Sequence, residues 1–197
     1  MQDEAAIANM AAVLLGADNR LIDLEEDSVM ARSFKESWAS VRLATLRAHP
    51  WNFAMKRWSL PSRVLAGDET IHPWLYAFPM PPECLRLHEI VSPVFSAGQW
   101  SLEGQDILAM ETGPLIIRGV RDVPETGLWD VLFEAAFAAH LAYWNADRIT
   151  GDRARRDDCS AAYAIALRNA RSTDGRENPP IPASYEGSSW VTARYGA

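Results

Sequence analysis

A change of hydrophobic period at Pro50 most constrains how this chain can fold. Before Pro50 the spacing is that of one helix face, which carries Ala31, Phe34, Trp38, Val41 and Thr45. After Pro50 the spacing is that of a strand, in which alternate positions are held by Trp51, Phe53 and Met55. A proline disfavours helical angles in the residue before it, so the helix should end at His49. The pattern predicts a long helix over residues 27–49, followed directly by a strand over residues 51–60.

Apolar stripes predict three further helices, over residues 5–15, 127–149 and 153–172. The helix over 127–149 is apolar on two adjacent sides. It should therefore be the central helix of the core, unless part of it contacts another subunit. His140 lies on this helix and is expected to be a hydrogen-bonded core or interface residue. The short connection at Thr150-Gly151-Asp152 makes the last two helices antiparallel neighbours.

Short alternating runs between the helices predict a small antiparallel β insertion. Besides residues 51–60, the predicted strands are 74–78, 85–90, 99–102, 107–110 and 115–118. Turn residues separate the last three strands, which favours a meander. The domain prediction is a helical part at residues 1–50 and 120–172, with the β insertion at residues 51–119.

The composition changes at residue 173, where glycine, proline and serine become frequent. Such a segment favours neither a helix nor a core, so residues 173–197 are predicted to form an extended C-terminal arm. Aromatic residues nevertheless recur in it, at Tyr185, Trp190 and Tyr195. They could anchor a segment that orders on binding a partner, or fold back on the protein's own surface. The predicted fold class is thus α+β: an antiparallel helical bundle with a small antiparallel β insertion and this arm.

The charge and cysteine content limit the possible functions. With 19 basic and 26 acidic residues the net charge is −7, which argues against a general nucleic-acid binder. The excess of acid could serve solubility, or line a channel through which DNA slides without sticking. Cys84 and Cys159 form no C-x-x-C pair and are expected to be reduced thiols in a cytoplasmic protein. The longest apolar run is interrupted by charges, so no membrane association is expected.

No catalytic motif is recognisable in the chain. It contains no phosphate-binding loop, no nucleophile elbow and no H-E-x-x-H pair. The four histidines (His49, His72, His88 and His140) include no pair four residues apart, as a helical zinc site would need. We therefore expect no enzyme, no cofactor and no metal.

Four stretches in order resemble one known family. They are LRAHPWNFAMKRWSL at residues 46–60, YAFPMPPECLRLHEI at 76–90, LWDVLFEAAFAAHLA at 128–142 and the tail at 190–194, with ITGD at 149–152 between the last two. Together they resemble the head-to-tail adaptors of short-tailed phages, called tail tubular protein A. The resemblance covers nearly the whole chain, although no single stretch is a catalytic signature.

The resemblance implies a structural virion protein of the tail or neck, assembled in the host cytoplasm. Such adaptors join the portal protein to the tail nozzle protein, in a homo-oligomeric ring of twelve subunits around a channel for DNA ejection. DNA passes through without specific binding. The C-terminal arm docks onto the portal, which by position assigns portal binding to Tyr185, Trp190, Arg194 and Tyr195. The short chain also fits an adaptor of a long-tailed phage or of a phage-derived particle.

Two functions from other classes remain open at this stage. One is a small hydrolase with a site in the β insertion, which would depend on His72 or His88. The other is a regulatory module that binds one host protein and forms no ring.

Overall fold

Helices and antiparallel strands combine in this protein, as the computed structural model shows for residues 3–66, 73–92 and 99–177. The helices are α1 (Glu4–Leu14), α2 (Val29–Arg47), α3 (Val131–Thr150) and α4 (Arg153–Glu177). The strands are β1 (Met55–Leu60), β2 (Arg63–Val64), β3 (Tyr76–Pro79), β4 (Cys84–Ile90), β5 (Trp100–Glu103), β6 (Asp106–Ala109) and β7 (Leu115–Arg121). The predicted α+β class is confirmed at this level. The description as an antiparallel bundle with an insertion, and the domain limits, stay predictions.

Helix α3 packs against each of the other three helices, as its two apolar sides indicate. It begins later than predicted, because residues 126–128 form a separate 3-10 turn. Asp130 caps α3, and its Oδ1 accepts hydrogen bonds from the amides of Leu132 and Phe133. Gly151 ends the helix with a φ of 63°, a left-handed conformation that favours glycine.

An aromatic cluster lies where α2 and α3 meet. Its members are Trp38, Trp51, Trp129, Phe133 and Phe137. The ring centroids of Trp38 and Phe137 lie 4.7 Å apart, and those of Trp51 and Phe133 lie 5.0 Å apart, both edge to face. Such pairs add to the free energy gained from burial alone. These three tryptophans therefore belong to the core.

The strand predicted to start at Trp51 begins only at Met55. Residues Asn52–Ala54 form a 3-10 turn, and Trp51 is fully buried. The indole Nε1 of Trp51 donates a hydrogen bond of 3.0 Å to the carbonyl of Thr45 in α2. This 3-10 turn buries both Trp51 and Ala54. Their burial outweighs the strand-like alternation of apolar residues in this stretch.

Two sheets face each other across a second cluster of buried side chains. Strand order is β1-β7-β4 in one sheet and β2-β3-β6-β5 in the other, with antiparallel pairing throughout. The cluster joins Leu60, Leu115 and Ile117 of the first sheet to Phe78 and Ile107 of the second. The predicted meander is therefore wrong at its last step: β5 pairs with β6, but β7 pairs with β1 and β4. In the described part of the chain, β1 and β4 are the edge strands of the first sheet, and β2 and β5 are those of the second.

Helix α4 continues through Glu177, so the prediction that it ends near residue 172 is wrong. The first five residues of the predicted arm are helical, and residues 178–197 lie outside the described part. Asp174 explains the extension, because it is buried against the junction between α2 and β1. Its tertiary hydrogen bonds hold the last turns of α4 in place despite Gly175.

Candidate binding surfaces

The residues predicted to bind a portal lie outside the described part of the chain. These residues are Tyr185, Trp190, Arg194 and Tyr195. His72, which belongs to the hydrolase hypothesis, also lies outside the described part. His88, the other histidine of the hydrolase hypothesis, is exposed on β4. Candidate surfaces are therefore sought among the described residues.

Asp174 joins the end of α4 to the His49–Asn52 corner. Its carboxylate accepts hydrogen bonds from His49 Nε2 at 3.0 Å and from the amide of Asn52 at 2.9 Å. Its carbonyl accepts one from Asn52 Nδ2 at 2.8 Å, and Arg171 donates to the carbonyl of Ala48 at 2.6 Å. Burial lowers the pKa of His49, although the nearby Asp174 opposes this shift. The cluster fixes the position of Glu177, after which the predicted arm continues.

His140 is a buried, hydrogen-bonded residue of the core, as its place on α3 suggested. Its Nδ1 lies 2.8 Å from the hydroxyl of Thr45, and its ring stacks on Tyr163 with centroids 4.2 Å apart. The Thr45 hydroxyl donates to the carbonyl of Val41, so Nδ1 must carry the proton that it shares with Thr45. Burial lowers the pKa of His140 to about 4, so the imidazole is neutral near pH 7. These contacts give it a structural role.

Helix α3 exposes apolar side chains on two separate sides. At its start, Leu128 (54% exposed), Val131 (69%) and Leu132 (36%) form one patch, here called the α3 patch. Near its other end, Trp144 is 55% exposed. At 3.6 residues per turn, Trp144 lies about 120–140° around the helix from Val131 and Leu132. The two surfaces therefore point in different directions.

Trp144 borders a shallow groove between α2 and α3. The groove encloses about 260 Å³ and is lined on the α2 side by Ser33, Ser37 and Ser40. An ion pair between Glu36 and Arg148 crosses its rim. Because serine side chains are small, the groove leaves open space beside the exposed ring of Trp144.

A larger groove of about 430 Å³ lies between the edge strand β4 and the turn that joins β5 to β6. Apolar side chains form much of it, among them Met80, Leu85, Leu87 and Leu102. Two exposed arginines, Arg47 from α2 and Arg86 from β4, also line it. We call it the basic groove.

Both arginines of the basic groove bond to backbone rather than to acids. Arg47 donates to the carbonyl of Leu85, and Arg86 donates to the carbonyl of Arg47 at 3.1 Å. Among the described residues neither forms an ion pair with a carboxylate. Among the residues that the structure describes, no carboxylate or imidazole lines this groove. Burial raises the pKa of the Cys84 thiol within it. Such a groove is suited to binding a partner with acidic and apolar groups.

No group of three or more metal-ligating side chains occurs within residues 3–66, 73–92 and 99–177. Over the same ranges, no helix combines the length and the apolar character needed to cross a bilayer.

Comparison with known proteins leaves the family open. No protein-family model matches this chain, and no curated protein matches it at a significant level.

Proposed function

We propose that this chain is a structural virion protein, a head-to-tail adaptor that joins a portal to a tail nozzle. In this role it forms a ring, of twelve copies by analogy with the resembled family, and DNA passes through the central channel. The proposal rests first on the four ordered stretches that resemble these adaptors. It describes a binding function, in which assembly rather than catalysis is the outcome.

The exposed apolar side chains on two sides of α3 are the observation that carries this proposal. A ring needs two different surfaces on each subunit, because each copy contacts one neighbour with one surface and the next with another. The α3 patch and Trp144 provide two such surfaces without removing any side chain from the core. The clustered residues of the α3 patch are typical of interaction sites, and Trp144 is a large aromatic side chain of the type enriched at interfaces.

The charge of the protein suits a channel that must release DNA. A net charge of −7 gives phosphate groups little general attraction, so DNA can move through the ring without being retained. In the finer fold that we propose, the helices form an antiparallel bundle that builds the ring. The β insertion then faces outward or toward the nozzle.

The C-terminal arm supplies the proposed contact to the portal. Asp174 fixes the point at which residues 178–197 continue from α4. Tyr185, Trp190, Arg194 and Tyr195 would each be repeated in every copy of the ring. Because several arms bind at once, the overall affinity for the portal can be high even if each single contact is weak.

Size-exclusion chromatography with light scattering tests this function, on the protein alone and mixed with the portal of the same virus. We expect several copies of the chain to join each portal. A chain that leaves the portal unbound at micromolar concentrations would contradict the adaptor. A one-to-one complex with a host protein would instead favour the regulatory module.

A further inference from the structure

We propose that copies of this chain join head to tail, with the loop before α2 of one copy seated in the basic groove of the next. The loop comprises residues 20–27 and is called the acidic loop. This inference rests on the proposed ring and deepens it. It adds to the α3 surfaces a further contact between neighbouring subunits, at the edge of the β insertion next to the end of α2.

The acidic loop holds one apolar side chain out toward solvent. Ile22 is 88% exposed, more than any other large apolar side chain in the described part of the chain. Its flanking residues are fixed: Leu21 is buried and exchanges two hydrogen bonds of 2.8 Å with Asn9 of α1. The amides of Ile22 and Asp23 both donate to the Glu26 carboxylate. Because the loop is held in place, little conformational entropy would be lost when Ile22 is bound.

Two carboxylates next to Ile22 lack a cationic partner. Glu25 pairs with Lys35, and Asp27 pairs with Arg32. Within the described ranges, Asp23 and Glu26 form no ion pair with lysine or arginine. One oxygen of each accepts backbone amides, and the other oxygen, Asp23 Oδ2 or Glu26 Oε2, is available for an outside cation.

The basic groove offers the complementary groups. Its apolar lining, which includes Leu87 and Leu102, can receive Ile22. Arg47 and Arg86 can then pair with the carboxylates of the acidic loop by charge-assisted hydrogen bonds. Charge complementarity of this kind guides association and sets the register of the two surfaces.

The loop and the groove lie at opposite ends of α2. The loop ends next to Ser28, the N-cap of α2, and Arg47 is the last residue of this 19-residue helix. At 1.5 Å per residue the helix separates them by about 28 Å. A loop fixed to α1 cannot reach across that distance to its own groove. Its own loop is therefore excluded, and the charge complementarity points to the same loop of a second copy. Such a contact between unlike surfaces builds rings or filaments.

Mixing two defective variants tests the contact directly. Ile22→Arg should disable the acidic loop, and Arg86→Glu should disable the groove. We expect each variant alone to self-associate about tenfold or more weakly than the parent protein. A mixture should form dimers and stop there, because each pair retains one intact loop and one intact groove. Val13→Arg is the matched control, since Val13 is also an exposed apolar residue (72%) but lies outside the loop.

Disulfide trapping detects the contact even where it is short-lived. Ile22→Cys combined with Gln105→Cys, at the groove, should give cross-linked chains under mild oxidation. Val13→Cys combined with Gln105→Cys should give far fewer. The proposal is wrong if the mixture stays monomeric and the two cysteine pairs cross-link equally. It is also wrong if Arg86→Glu abolishes retention on immobilised double-stranded DNA while the cross-links stay equal, because the groove would then be a phosphate site.

Portal binding is measured on the same proteins, so the two proposals can fail separately. Specific cross-links without portal binding would retain the contact and remove the adaptor function. A portal-bound ring without specific cross-links would retain the adaptor function and remove the proposed contact.

Discussion

At the scale of single residues, burial of His140 makes stability depend on pH. Its pKa is lowered to about 4 in the folded protein and is about 6.5 in an unfolded chain. Between these values the unfolded chain binds more protons, so the free energy of unfolding falls on acidification. The loss is about 3 kcal/mol when pH 4 is reached. We expect His140→Gln, which keeps a donor for Thr45, to remove most of this loss in urea denaturation measured at neutral and at acidic pH.

His88 provides the matched control for that experiment. It is exposed on β4, so His88→Gln makes the same chemical change without altering a buried contact. His49 also has a pKa lowered by burial, but it contributes equally in both variants. Equal pH dependence in His140→Gln and the parent protein would show that His140 is not the residue responsible.

At the scale of elements, local signals predicted some boundaries and not others. Helix α2 could be predicted because its start is capped by Ser28, whose Oγ accepts a bond from the amide of Ala31, and because Pro50 follows its end. The start of β1 could not be predicted, because Trp51 and Phe53 alternate like strand residues. Contacts with residues distant in sequence determine the backbone conformation there instead. The end of α4 was missed for the same reason: Asp174 and Gly175 resemble a helix stop, and the partners of Asp174 are distant in sequence.

Gly175 distinguishes the observed end of α4 from the predicted one. In the observed helix it has no positive φ, and an added Cβ would meet nothing within 4 Å. Gly175→Ala should therefore stabilise the protein by about 0.5–1 kcal/mol in urea denaturation. If the helix ended near residue 172, with glycine in a left-handed cap, the same change would destabilise it.

Gly151 serves as the control, because its replacement by alanine should change stability in the opposite direction. An added Cβ there also has open space, but the φ of 63° is strained for alanine. Gly151→Ala should destabilise the protein by about 1 kcal/mol.

At the scale of the whole molecule, the candidate surfaces could not be predicted because they join distant segments. Arg47 and Arg86 are 39 residues apart, and His49 and Asp174 are 125 apart. Helical periodicity did indicate that α3 has more apolar surface than one neighbour can cover. It did not indicate that Trp144 would remain exposed while Trp51 is buried. Periodicity therefore indicated excess apolar surface on α3, and only the tertiary structure located the part that stays exposed.

Removing residues 178–197 separates folding from assembly. Both clusters of buried side chains in the described part lie before residue 178, so the truncated chain should unfold cooperatively. Its free energy of unfolding in urea should change by less than about 1 kcal/mol. Portal affinity should fall at least about a hundredfold in a binding titration, because every copy loses its anchors. Trp190→Ala should reproduce much of the loss, whereas Ser189→Ala beside it should not. A truncated chain that binds the portal as tightly as the full chain would move the docking surface to the helices, where the α3 patch would be tested next.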